Sequence, residues 1–439
     1  MAIRHRPPIR HRPAPPTRAG GTLLTGPEAT GILDAALAEA GGLVVTCRVT
    51  QVDHQPERGS TAAYLTRVRW PDGRMTEERF GAYTGPPPAG SLTVGDGTDR
   101  VAVWRLPHDP YLPGLATAYH PSAVAGLIRG FGLGDGPVRR DLRAYRPRRR
   151  AVVEVTGPAG RLFLKVVRPA RVAALHRTHR LLSAAGVPVA PSLGHTPEGL
   201  LVLQQLPGRT LRQAVRAGVT RLPSGQTLLD LLDRLPAELA AGPARASWLS
   251  RAGHYAAVVA DLLPDRAEQA RQLAAAIQAE GGTGPTVPVH GDFYESQLQV
   301  AAGRVTGLLD VDTAGPGERL DDLACLLGHL SVLARLEPAR AAAIGRLGAR
   351  YLAAFERAVD PVDLRYRVAA VVLSLATGPH RVQERGWRRA TGQRLDLAEQ
   401  WLASARQLAA RPAGPSGGRK VAKGSLTPVT ERPHPDRRW

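Results

Sequence analysis

Cysteine is nearly absent from this chain: 439 residues contain two, Cys47 and Cys325. That excludes a disulfide framework and fits a reducing compartment. Neither cysteine has a ligand neighbour at CxxC or CxxH spacing, so both read as small core residues and not as metal ligands. Aromatic residues are scarce as well, at 5%. No apolar run reaches the roughly 18 residues that a bilayer requires. The N-terminus carries arginines but no apolar stretch behind them, so it does not read as a secretory signal. These absences predict a soluble, cytoplasmic protein without a membrane partner.

Acidic residues are also in short supply, with 38 Asp and Glu against 58 Lys and Arg, a net charge of +20. Half of the excess sits at the ends. Residues 1–20 hold five arginines and no acid, and residues 411–439 hold seven basic and two acidic residues. Both ends are rich in Pro, Gly and Ser, which predicts disordered basic tails over 1–21 and 411–439. Such tails attract phosphate polyanions without reading sequence, so no specific nucleic-acid partner is expected.

The length allows two or three domains. Residues 22–137 read as a small α+β unit. "EATGILDAALAEAGG" is a short helix, "LVVTCRVTQV" a strand with Val45, Cys47 and Val49 on one face, and Pro71-Asp72-Gly73 the turn of a hairpin. Residues 138–208 read as a β-rich lobe, with "RRAVVEVT" and "RLFLKVV" joined by Gly157-Pro158-Ala159-Gly160, then a helix and the buried strand "GLLVLQQLPG". Residues 209–410 read as mostly helical, interrupted by a short β insert. The fold class is therefore α+β and two-lobed, with a separate N-terminal unit.

The insert carries the polar residues that packing does not explain. In "VPVHGDFYESQLQV" the apolar run stops at His290-Gly291-Asp292, and Gln297 follows five residues after Asp292. "LQVAAGRVTGLLD" reads as a hairpin turning at Ala302-Gly303, which would bring Gln297 beside Asp310. An amide oxygen and a carboxylate so placed suit Mg²⁺, a hard ion that prefers oxygen. Asp292 is positioned to orient a substrate hydroxyl and accept its proton. Lys165 in "FLKVV" is either snorkelling or reaching for a phosphate. Asp312, two residues beyond Asp310, reads equally as a second metal or substrate contact and as a turn residue.

With these motifs in order, the chain resembles the aminoglycoside-phosphotransferase-like family of small-molecule kinases, which have a protein-kinase-like fold. "HGDFYESQ" is similar to the family's HGDxxxxN loop, and "LDVDTAGPGERLDDLA" to its later ID…DLA segment. "FLKVV" and "LVLQQLPG" are similar to its lysine strand and its adenine hinge. The likeness spans roughly 140–400. It implies Asp292 as catalytic base, Gln297 and Asp310 as Mg²⁺ ligands, and Lys165 on the phosphates of ATP (or GTP). It also implies that Gln204, Gln205 and Leu206 meet the base, with His290 and Asp322 as structural support. The partner implied is a small-molecule hydroxyl acceptor, and the N-terminal unit would sit as a cap, as in the maltokinase-like branch.

Three departures stand out. Gln297 replaces the usual asparagine, as in maltokinase-like relatives. The helix after Lys165 offers Leu175 and His176 where many kinases have a glutamate. "YRPRRR", residues 145–150, stands where a Gly-rich phosphate loop is expected, which makes Arg149 and its neighbours candidates for holding phosphate. A cationic acceptor would want acidic walls, for which Asp230, Asp233, Glu318, Asp321 and Glu384 are available. The missing glutamate and glycines keep a nucleotide- or partner-binding pseudokinase open as the alternative.

Overall fold

The computed structural model describes residues 23–411 apart from 56–57, 90 and 96–99. Apart from Arg411, the two basic tails expected above lie outside the described residues.

The first unit is a five-stranded antiparallel sheet of β1 (Leu43–Gln55), β2 (Gly59–Arg69), β3 (Met75–Tyr83), β4 (Leu92–Val94) and β5 (Val101–Arg105), in the order β1-β2-β3-β5-β4. The helix Glu28–Leu37 packs on it, and Leu33, Tyr64 and Phe80 fill the core between them. The β2–β3 turn uses Gly73 at φ 82°, while the Asp72 carboxylate accepts the Arg74 N–H. Of the expected Val45-Cys47-Val49 face, Cys47 and Val49 pack against this core but Val45 does not. Val44 is buried while Val45 is 48% exposed. The pairing of β1 with β2 slips between Val44 and Thr46 and again between Val49 and Gln51. Each bulge inserts one residue and moves the following side chains to the other face.

The second sheet is also antiparallel: β6 (Arg139–Arg146), β7 (Arg150–Gly157), β8 (Gly160–Val167), β9 (Ser192–His195) and β10 (Leu200–Gln204), in the order β6-β7-β8-β10-β9. Strand alternation gives it two distinct faces. Val153, Val155, Leu162, Leu164 and Val166 pack against Leu115, Val124 and Ile128 of the helices Gly114–Tyr119 and Pro121–Gly130. Phe163 and Val167 join the large core shared with the helix Pro169–Ala184 and the helical lobe. Lys165 lies between them in the alternation, so the period that buries its neighbours also turns it toward the helical lobe.

That lobe is built around the helices Ala252–Leu262, Ala267–Glu280, Arg319–Leu336, Ala341–Phe355, Pro361–Leu375 and Trp387–Ala409. The mostly helical segment begins as β11 (Arg209–Thr210). The helix Leu211–Arg216 then starts from a capping box between Thr210 and Gln213. The β insert consists of β12 (Thr286–Val289), β13 (Leu298–Ala301), β14 (Arg304–Leu308) and β15 (Gly315–Glu318). β13 and β14 turn on Ala302 and Gly303 at φ 49° and 78°, the paired left-handed conformation of a tight hairpin. Arg367, wholly buried, clamps the insert to the helices. It donates to Asp321 at 2.7 Å and to the Gly282 carbonyl at 2.9 Å, and it pairs with Glu318. Among the described residues, no helix is long and apolar enough to cross a membrane.

Candidate active site

The loop after β12 is fixed by backbone chemistry. Asp322, in the first turn of the helix Arg319–Leu336, is wholly buried and accepts the N–H groups of His290 and Gly291, each at 2.7 Å. Burial pushes its carboxyl up, and His290 and the two donated N–H groups pull the other way. His290 Nε2 meets the Leu309 carbonyl at 2.8 Å, and its Nδ1 faces the Asp292 N–H at 3.3 Å. Gly291 is required where it stands. Its φ is +81°, and a Cβ there would lie 2.7 Å from the Thr313 carbonyl oxygen and 1.6 Å from Arg245 Nη1. The Thr313 hydroxyl donates to the His290 carbonyl at 3.0 Å. Asp292 therefore leaves a loop anchored on both sides.

The hairpin brings the next residues to the same place. The Leu309 N–H donates to the Gln297 carbonyl at 2.8 Å, and Gln297 Nε2 lies 3.4 Å from Asp310 Oδ2. Asp310 adopts φ 56°, a left-handed conformation that Asp tolerates better than most residues. Two cations converge on it: Lys165 Nζ at 2.8 Å and Arg150 Nη1 at 2.7 Å. Lys165, only 6% exposed, also pairs with Asp312, and Arg150 reaches Asp312 at 3.5 Å. Asp310 and Asp312 thus give Lys165 the acidic partners that the following helix does not supply.

The two candidate carboxylates are tuned apart. Burial raises Asp292, with Asp310 adding to the rise and His290, Arg150 and Arg245 opposing it; the net direction is up. Burial would raise Asp310 as well, but Lys165 and Arg150 more than offset it and hold that carboxyl well below the usual range. A raised group suits a proton acceptor and a depressed one a permanent anion. Cys325 lies beneath Asp292, its Sγ 4.0 Å from Oδ1. Tyr294 stacks on the half-buried His329 with ring centroids 4.0 Å apart.

The remaining sequence candidates fall elsewhere. Gln204 ends β10, with its N–H on the Pro191 carbonyl at 3.0 Å; Gln205 follows it, and Leu206 packs on the large core. Arg149 is exposed and lies 3.4 Å from Asp53 of β1, while its neighbour Arg150 is the one that reaches Asp310. Arg148 leaves the site altogether. Its guanidinium lies 3.3 Å over the Tyr83 ring and 4.7 Å from that of Tyr111, and Nη1 donates to Thr61 at 2.9 Å.

Next to Asp292 opens a cavity of about 410 Å³, walled by β1 residues Val52–Gln55 as well as by the helical lobe. Asp230, Asp233, Glu318, Asp321 and Glu384 do not line it. Asp233 pairs with Arg319 at 2.9 Å, Glu318 and Asp321 pair with Arg367, and Glu384 lies 3.9 Å from Arg394. Sequence reasoning missed the arginines that do line it, Arg245, Arg251 and Arg381. The only local cue was the i, i+3 and i, i+4 spacing of Trp248, Arg251 and Tyr255, which stack in the structure.

The donor set suits a magnesium nucleotide. Gln297 here turns its amide nitrogen to the Asp310 carboxylate, and a flip of that amide would bring its oxygen beside Asp310, with Asp312 close by, as a set of oxygen ligands. Among the described residues, no three His, Cys, Asp or Glu side chains form a metal cage. Magnesium held through one or two carboxylates and substrate phosphates does not need one.

A β-sheet lobe with a buried lysine, facing a helical lobe that presents carboxylates from a β insert, defines a two-lobed kinase-like fold. Residues 145–362 match the family model described as "Phosphotransferase enzyme family", and through this segment the chain belongs to that family. The protein is accordingly an enzyme that transfers phosphate to hydroxyl groups of small molecules. Among solved structures it is similar to a choline/ethanolamine kinase family protein from Mesorhizobium loti (17% identity, 62% of this chain and 93% of that one, TM-score 0.43). It is also similar to the macrolide 2'-phosphotransferase of Brachybacterium faecium (20%, 62% and 98%, TM-score 0.41). A third is an aminoglycoside phosphotransferase from Streptomyces rimosus (22%, 58% and 98%, TM-score 0.39). No curated protein matches the sequence.

Proposed function

We propose that the protein is an ATP- and Mg²⁺-dependent kinase that phosphorylates a hydroxyl of a small polar metabolite held in the cavity beside Asp292. The observation that carries this is the convergence of Lys165, Arg150, Gln297 and Asp310 on one side of the loop, with Asp292 opening onto the cavity on the other. Asp292 accepts the proton of the acceptor hydroxyl. The freed oxygen pair bonds to the γ-phosphorus as the β–γ bridging bond breaks, and ADP leaves with that electron pair. Lys165 and Arg150 hold phosphate oxygens, exchanging their hold on Asp310 for the nucleotide. Gln297 and Asp310 hold magnesium, which when bound neutralises the charge of the transferring phosphoryl group. The backbone from Gln204 to Leu206 takes the base. The unit formed by β1–β5 serves as a cap, since β1 supplies one wall of the cavity.

The test is Mg²⁺-dependent ADP release across hydroxylated acceptors, with Asp292→Asn in parallel and ATP binding measured on both proteins. Acceptor-stimulated turnover that the variant loses, with ATP still bound, is the expected result. Equal turnover in both proteins would sink the role given to Asp292. A pseudokinase reading has one specific support, the direct pairing of Lys165 with Asp310 and Asp312. ATP binding indifferent to Mg²⁺, without transfer to any acceptor, would favour it.

A further inference from the structure

We infer that the acceptor is an anionic hydroxyl compound, a small molecule bearing a carboxylate or phosphate, bound by the arginines of the cavity over Asp292. The inference rests on the phosphotransferase reading and refines it. Five arginines line the cavity, Arg146, Arg149, Arg245, Arg251 and Arg381, against two carboxylates, Asp53 and Asp292. Asp53 is engaged by Arg149, and Asp292 is the proton acceptor. The other four arginines have no carboxylate partner among the described residues. Arg245 spends donors on the carbonyls of Gly291 and Thr313, and Arg251 lies over the rings of Trp248 and Tyr255. Among the described residues, the guanidinium groups of Arg146 and Arg381 have no hydrogen-bonding partner. Burial lowers Arg146, and the next causes are the like charges of Arg150, Arg381 and Arg149, as expected for guanidinium groups gathered without a counter-ion.

Arginine cannot shed its charge as lysine can, so the cavity stays cationic at any physiological pH. A concave, partly desolvated space of one sign focuses its field on a ligand of the other, and guanidinium pairs bidentately with carboxylate or phosphate. The transferred phosphate alone does not account for the set. Arg150 and Lys165, the cations beside Asp310, do not line the cavity, whereas Arg245, Arg251 and Arg381 come from the helical lobe. A polycationic acceptor fits poorly, because the acids available to receive it lie outside the cavity, where Asp233, Glu318, Asp321 and Glu384 face arginines and Asp230 accepts from Gln226.

The experiment is calorimetric binding to the full chain, at low ionic strength and with ADP present to fill the nucleotide side. Four probes are compared: gluconate, glucose 6-phosphate, glucose and glucosamine. At least one anion should bind about tenfold tighter than glucose, and glucosamine weakest. Which anion leads distinguishes the carboxylate from the phosphate source. Arg381→Gln and Arg251→Gln should each remove most of that preference while leaving glucose and ADP affinity within about twofold. Equal affinity for all four probes, binding of none, a preference for glucosamine, or anion affinity untouched in both variants overturns the inference. An anion preference that persists in protein unable to bind ADP upholds the cavity's specificity and overturns the phosphotransferase reading instead.

Discussion

Asp322 is the residue whose removal should separate loop geometry from loop chemistry. Its two oxygens accept the N–H groups of His290 and Gly291 at 2.7 Å each, with no exposure to solvent. In Asp322→Ala both donors lose their acceptor, at about 1–3 kcal/mol per buried group. Against this stands the relief of no longer burying a carboxylate, whose raised pKa shows that burial opposes its charge. The balance is a net loss of about 2–4 kcal/mol. Asp322→Asn is the finer tool. It keeps one acceptor but turns an NH₂ group toward the other backbone N–H, so the loop must shift to separate two donors. Asp292 is the next residue after Gly291, and a displacement of about 1 Å at a reacting group costs on the order of 100-fold in rate. Urea midpoints and ADP-release kinetics should therefore show a moderate loss of stability and a large loss of kcat, with ATP affinity within about twofold. Full turnover in Asp322→Asn, or a stability loss with kcat untouched, would refute the claim that this carboxylate positions the base.

Gly291→Ala must place a Cβ at φ +81° and 2.7 Å from the Thr313 carbonyl oxygen. The left-handed conformation alone costs about 1–2 kcal/mol, and a melting temperature unchanged from the parent would contradict the geometry. Burial holds His179 and His380 down to about 4 and His329 to about 3. The unfolded chain therefore binds more protons than the folded one below pH 6.5, so stability falls as pH drops from 6.5 toward 4, by up to about 1.4 kcal/mol per unit per histidine. Urea midpoints at pH 5 and 7 in the parent and in His329→Phe isolate this histidine from Asp321, which burial raises to about 6 and which acts in the opposite direction; equal slopes in the two proteins would overturn the assignment. Arg148→Met removes a guanidinium from between Tyr83 and Tyr111. We expect a loss of about 1–3 kcal/mol, read as faster amide exchange in β2 and β3, and unchanged exchange would show that this contact does not hold the units together.

How much of this was legible beforehand depends on the range of the interaction. The β7–β8 and β13–β14 hairpins could be read because their turns need glycine or a positive φ at fixed places, and the flanking strands alternate. The loop from His290 to Gln297 could be read because backbone constraint and chemistry fall within eight residues. The partner of Lys165 could not. It is Asp310 with Asp312, 145 and 147 residues away, and nothing local to β8 points to them. The bulges in β1 escaped for a related reason: strict alternation in "LVVTCRVTQV" says nothing of where the partner strand slips. The cavity arginines come from the end of β6 and the turn after it, the segment before the helix Ala252–Leu262, and the short helix Gly378–Arg381. No stretch of sequence contains enough of them to reveal their convergence.

The run "RRR" at 148–150 shows why a charge cluster in sequence does not translate into a single site. The β6–β7 turn gives Arg148 a left-handed φ of 65°, so the three side chains leave the hairpin in different directions. Arg148 goes to the aromatic rings of the first unit, Arg149 to Asp53 at the edge of the cavity, and Arg150 to Asp310. Exposed pairs such as Arg149–Asp53 contribute little to stability, whereas Arg148 is packed between two rings and Arg150 faces a mostly buried carboxylate. The energetic weight therefore lies on the first and third arginines. One tight turn joins the wall contributed by β1 to the carboxylate proposed to hold magnesium, so substitutions at Tyr83 or Tyr111 should perturb catalysis through Arg150 without any contact to substrate.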